Sequence, residues 1–153
     1  MFHPIPGFSG LICGPLLLII ITLLCHFSKE HETYNLDPKG VPGAFREFLD
    51  RYIRVAEFII GLATGSIVLL VGSSTLRSQS RLPWFYASPL LLLGWCVIFA
   101  VIFMVWLIFN YENYMHGNPH TARQYTLSES LGFSSLACFC IGYVWLIVAV
   151  TSM

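Results

Sequence analysis

Asp, Glu, Lys and Arg are confined to three stretches of the chain: Lys29 to Glu57, Arg77 to Arg81 and Glu112 to Glu129. The intervals they leave, Met1–Ser28, Phe58–Leu76, Leu82–Tyr111 and Ser130–Met153, each supply the ~20 apolar residues that a helix needs to cross hydrocarbon. The pattern predicts four spans, at about 8–27, 55–74, 85–109 and 127–150.

The second span has a charged prelude. Phe45, Phe48, Leu49, Tyr52, Val55, Ala56 and Ile59 recur at helical spacing, and Arg46, Glu47, Asp50, Arg51, Arg54 and Glu57 take the opposite face. An amphipathic helix is therefore predicted over about 42–57, running into the span without a breaker. Pro42 suits its first turn, where the missing N–H costs nothing. Glu47 and Arg51, Asp50 and Arg54, and Arg54 and Glu57 are spaced to support the helix by ~0.2–0.5 kcal/mol per pair. The predicted fold is an all-α membrane protein, a single integral domain over 1–153. Four transmembrane helices form an antiparallel bundle, with the amphipathic extension leading into the second.

The connections read as turns. Asp37-Pro38-Lys39-Gly40 and Gly117-Asn118-Pro119 are turn signals, and the short Ser73–Leu82 segment makes spans two and three antiparallel neighbours. Trp84, Phe85 and Tyr86, and later Asn110, Tyr111 and Tyr114, mark membrane–water boundaries. Thr126-Leu127-Ser128-Glu129 fits a capping box, which starts span four at Leu127.

Small residues at four-residue steps predict where helices approach closely. Gly61 and Gly65 are the strongest such pair, and Ser134, Cys138 and Gly142 form a second face, so spans two and four are the expected tight partners, within the chain or between copies. Gly10 and Gly14 have the same spacing, but beside Pro15 they read as a loosening of the start of span one.

Composition agrees with lipid as the solvent. Of 153 residues 56% are hydrophobic and 10% charged, and mean hydropathy is +0.73, which excludes an ordinary soluble domain. Net charge is zero, so no basic stripe serves nucleic acid. Cys13, Cys25, Cys96, Cys138 and Cys140 all lie in or at the ends of apolar spans and imply no disulfide framework. Met1–Gly10 lacks the Lys or Arg of a signal peptide, so the first span is expected to be retained; if it were cleaved, three would remain. Lys29, Lys39, Arg46, Arg51, Arg54 and Arg123 fall on one side, and Arg77 and Arg81 on the other. This bias places loops 28–54 and 110–126 in the cytoplasm of a cell (inner) membrane, with both termini outside.

Candidate chemistry is sparse. Glu57 is the acid nearest a span interior, but Arg54 one turn away makes an interfacial ion pair the simpler reading. Glu112, His116 and His120 have the residue types of a metal set, although Gly117 and Pro119 would require the chain to fold back. Cys138 and Cys140 point to opposite sides of a helix. No span holds a histidine deep enough for haem, and no phosphate loop, nucleophile elbow or HExxH helix occurs, so no cofactor and no catalytic residue are expected.

Three functions fit, in this order. The first is a structural or accessory subunit, acting through helix packing and the amphipathic helix, whose partners are the bilayer and a homo-oligomer or larger membrane complex. The second is an oligomeric pore lined by Thr64, Ser66, Ser73, Ser134 and Ser135. The third is a membrane-surface enzyme using Glu112, His116, His120 or Arg54.

Overall fold

The computed structural model describes residues 7–27, 44–72, 84–116 and 122–151. These form α1 (Gly7–Phe27), α2 (Ala44–Gly72), α3 (Trp84–Met115) and α4 (Ala122–Thr151), with no strand among the described residues. All four are long and apolar enough to cross a membrane, so the protein is a multi-pass helical bundle. The turn signals at 37–40 and 117–119, Pro42, Ser73, His120 and the connection between spans two and three lie outside the described residues.

α2 is one uninterrupted helix of 29 residues, about 43 Å long, against roughly 30 Å of hydrocarbon. Its charged first half and apolar second half thus belong to one rod. α4 is already helical at Ala122, several residues before the capping-box position. Arg123, Gln124 and Tyr125 carry no breaker, and once helix propagates through them Thr126 is an interior residue with no cap to supply.

α3 is the centre. It packs against all three other helices, most extensively against α4, and α1 lies over both, while α2 leans on α3, barely meets α4 and does not touch α1. The core is Ile59 and Ala63 of α2, Leu92, Leu93, Cys96 and Phe99 of α3, and Cys138 of α4. Gly10 lies against Ser88 and Gly14 against Trp95, so α1 and α3 run parallel. Asn110 meets Ser128, and Gly142 meets Leu93, so α3 and α4 run antiparallel.

Two packing expectations need correction. Spans two and four are the least intimate of the contacting pairs, because α3 intervenes. Gly10 and Gly14 do not merely loosen α1: a Cβ on Gly10 would lie 3.0 Å from the Ser88 Cα, and one on Gly14 would lie 2.4 Å from Trp95 Cγ. The glycines make a notch in which Trp95 sits. Pro15 completes it, since its missing N–H leaves the Leu11 carbonyl without a helical partner and the Trp95 indole N–H donates to that oxygen at 3.2 Å.

Large apolar side chains such as Leu24, Val68, Leu69, Phe109 and Val144 project outward. In water such a surface would drive association; in hydrocarbon it is the solvated face. Helix cohesion must then come from close packing and interhelical hydrogen bonds, and here Ser135 donates to the Cys96 carbonyl at 3.1 Å and Trp106 to the Gln124 carbonyl at 3.4 Å.

Candidate functional site

The sequence-derived site residues separate into three places. Ser134, Cys138 and Gly142 are buried where α4 meets α3, and a Cβ on Gly142 would touch Leu93 at 3.3 Å. Gly61 and Gly65 are exposed on the side of α2 away from Ala56, Ile59 and Ala63, and a Cβ at either would meet nothing within 4 Å. Arg54 and Glu57 are exposed too, and no ion pair joins them among the described residues. Both lie on the charged, outward side of α2, where solvation replaces a mutual contact.

Glu112 and His116 end α3, one turn apart and exposed; the His116 ring Nδ1 lies 2.7 Å from the backbone carbonyl of Glu112. The described residues bring no third metal-ligating side chain to them. Of the serines and threonines considered as pore-lining, the described ones, Thr64, Ser66, Ser134 and Ser135, are turned to their own helices or inward. Thr64 bonds the Ile60 carbonyl, Ser134 is fully buried and bonds the Ser130 carbonyl, and Ser135 is held by Cys96. Ser66 donates to the Leu62 carbonyl at 2.8 Å, so its oxygen accepts from the Tyr143 hydroxyl, a side-chain hydrogen bond that ties α2 to α4.

Below that tie α2 and α4 part, and the gap is a cavity of about 370 Å³, inside the range of about 300–1,000 Å³ typical of small-molecule sites. Tyr52, Val55 and Ile59 of α2 form one wall, Phe103 and Leu107 of α3 the floor, and Phe133 and Leu136 of α4 the other wall. Tyr52 and Phe103 meet edge to face, with ring centroids 6.2 Å apart. Asn110, Tyr125, Ser128 and Glu129 gather at one end, and at the other Ser135 spends its hydroxyl proton on the Cys96 carbonyl.

Asn110 is the unusual member, with 3% of its surface exposed. Ser128 gives its hydroxyl proton to the Gln124 carbonyl at 3.0 Å, so toward Asn110 it accepts, and the Asn110 amide Nδ2 donates to it at 3.2 Å. That assignment turns the other amide atom, Oδ1, into a buried acceptor without a donor among the described residues. Sequence reasoning placed Asn110 at the membrane boundary but gave it no partner, because its neighbours Ser128 and Glu129 come from a different helix. No protein family, curated protein or solved structure matches the chain.

Proposed function

We propose that the protein is a structural or accessory subunit of a larger membrane assembly, joined to it sideways through α2. The observation that carries this is the open space beyond Gly61 and Gly65. Each glycine costs a helix about 0.8–1.0 kcal/mol relative to Ala. α1 recovers that cost by seating Trp95 and Ser88 on Gly10 and Gly14. α2 recovers nothing from the described residues of its own chain, and a helix from a second copy or another membrane protein would supply the missing contact. The exposed Arg54 and Glu57 continue on the same outward side toward the membrane surface, where they add polar partners to such a contact. In this reading the amphipathic half of α2 is offered at the cytoplasmic face of the cell membrane, with loops 28–54 and 110–126 on that side. The pore and surface-enzyme readings gain no comparable observation from the described residues.

Native mass spectrometry of the tagged protein, released with its surrounding lipid, tests this directly. The expected result is a stoichiometric second protein or a defined number of copies, lost in Gly65→Leu while the isolated chain in detergent is not destabilised. A chain that is alone in its native lipid, or an assembly indifferent to Gly65→Leu, overturns the proposal.

A further inference from the structure

We propose that the groove between α2, α3 and α4 binds a single-chain amphiphile with an uncharged, hydroxyl-bearing head, the chemistry that monoacylglycerols represent. Depth is the first argument. α3 is free of charge from Trp84 to Tyr111 and turns polar from Asn110 onward, so Asn110 sits at the level where hydrocarbon gives way to head groups. From there to Ala100, at the deep end of the cavity, the helix rises about 15 Å, half the roughly 30 Å of the hydrocarbon layer. The groove is one leaflet deep, polar at the surface and apolar below, which is the shape of one lipid chain with its head.

The second argument is the orphaned acceptor. Asn110 is nine-tenths buried at the polar end, and its Oδ1 has no donor among the described residues once Ser128 has fixed the amide. A buried acceptor left without a donor is costly, and a hydroxyl on the occupant removes that cost. Lipid tails alone carry no donor and would leave it as it is. A charged head buried beside Asn110 would cost far more than an uncharged hydroxyl, which sets the sign.

The test uses the full chain in phosphatidylcholine nanodiscs and a photoactivatable monoacylglycerol with a diazirine in its tail, beside the fatty acid of the same tail. The expected result is saturable labelling of Leu49–Ile59, Ala100–Asn110 and Tyr125–Leu136 by the monoacylglycerol, and much weaker labelling by the fatty acid. Asn110→Leu should lower the affinity about tenfold, the effect of one hydrogen bond. Val55→Trp is the second variant: Val55 is 57% exposed on the groove wall, so a larger side chain there blocks the groove without displacing a packed neighbour. It should abolish saturable labelling. Labelling spread evenly over the lipid-facing sides of all four helices, equal labelling by the fatty acid, labelling that survives Val55→Trp, or an unchanged affinity in a folded Asn110→Leu, overturns the proposal.

Discussion

Gly14 and Gly65 share a residue type and a four-residue spacing to another glycine, yet their surroundings give the same substitution opposite signs. Gly14→Ala places a methyl group 2.4 Å from Trp95 Cγ and 2.5 Å from Cδ1, which forces the ring out of its notch. The expected cost is about 1–3 kcal/mol. Gly65→Ala meets nothing within 4 Å and gains helix propensity, so the isolated chain should be stabilised by up to about 1 kcal/mol. Reversible unfolding in mixed detergent micelles measures both, and a destabilising Gly65→Ala would mean that its outward face is already in use within the chain. The Pro15 and Trp95 pair makes a sharper case. Trp95→Phe leaves the Leu11 carbonyl without its donor, at about 1–3 kcal/mol. In a Pro15→Ala background the helix supplies its own N–H to that carbonyl, and Trp95→Phe should cost less. Single effects that simply add, within about 0.5 kcal/mol, would show that the indole bond carries no energy. Nothing in the local sequence pairs Pro15 with Trp95, because the proline announces a missing donor without saying which distant residue supplies it.

Among whole elements, α2 is held differently from the rest. Its second half buries Ile59 and Ala63 in the core, and Ser66 ties it to α4 through a hydrogen bond with Tyr143. Ser66→Ala and Tyr143→Phe each remove this bond, and interhelical hydrogen bonds of this kind average about 0.6 kcal/mol in membrane proteins. The double variant should therefore cost no more than the larger single, and two fully additive losses would show that the two hydroxyls do not act on each other. The continuity of α2 from charged to apolar residues was legible because helical periodicity runs unbroken through Arg54 and Glu57. Its partner was not. Four-residue spacing of small residues states that a close approach is allowed, and both α1 and α2 carry it; which helix arrives depends on the order of the bundle. The early start of α4 was missed for a related reason: Thr126 and Glu129 have the spacing of a cap, but a cap matters only where the helix begins, and Ala122–Tyr125 extend it.

For the molecule as a whole, the spacing of charges made four spans visible, but not the groove, whose polar end is assembled from Asn110 on α3 and Ser128 and Glu129 on α4, with α2 as the far wall. Its sidedness joins the two kinds of information. α1 runs parallel to α3, and α3 antiparallel to α4, so the described ends of α1, α2, α3 and α4 nearest loops 28–43 and 117–121 share one side of the bundle. The groove's polar end faces that side, with Tyr52, Asn110 and Tyr125. Along the sequence Lys29 and Lys39 fall between α1 and α2, Arg46, Arg51, Arg54 and Arg123 near the described ends on that side, and Arg77 and Arg81 between α2 and α3. Basic residues near span ends are retained in the cytoplasm, and the excess is large enough to predict the orientation. Alkaline phosphatase fused after Met153 in a bacterial host should therefore be active, and the same enzyme inserted after Asp37 inactive. The reverse pattern would turn the groove to the outer leaflet and place the charged half of α2 outside the cell. Replacing Arg46, Arg51 and Arg54 by Gln leaves Lys29, Lys39 and Arg123 on this side, three against two. With so small an excess, a mixture of active and inactive Met153 fusions is expected, whereas an unchanged single orientation would mean that something other than the basic residues of α2 sets the topology.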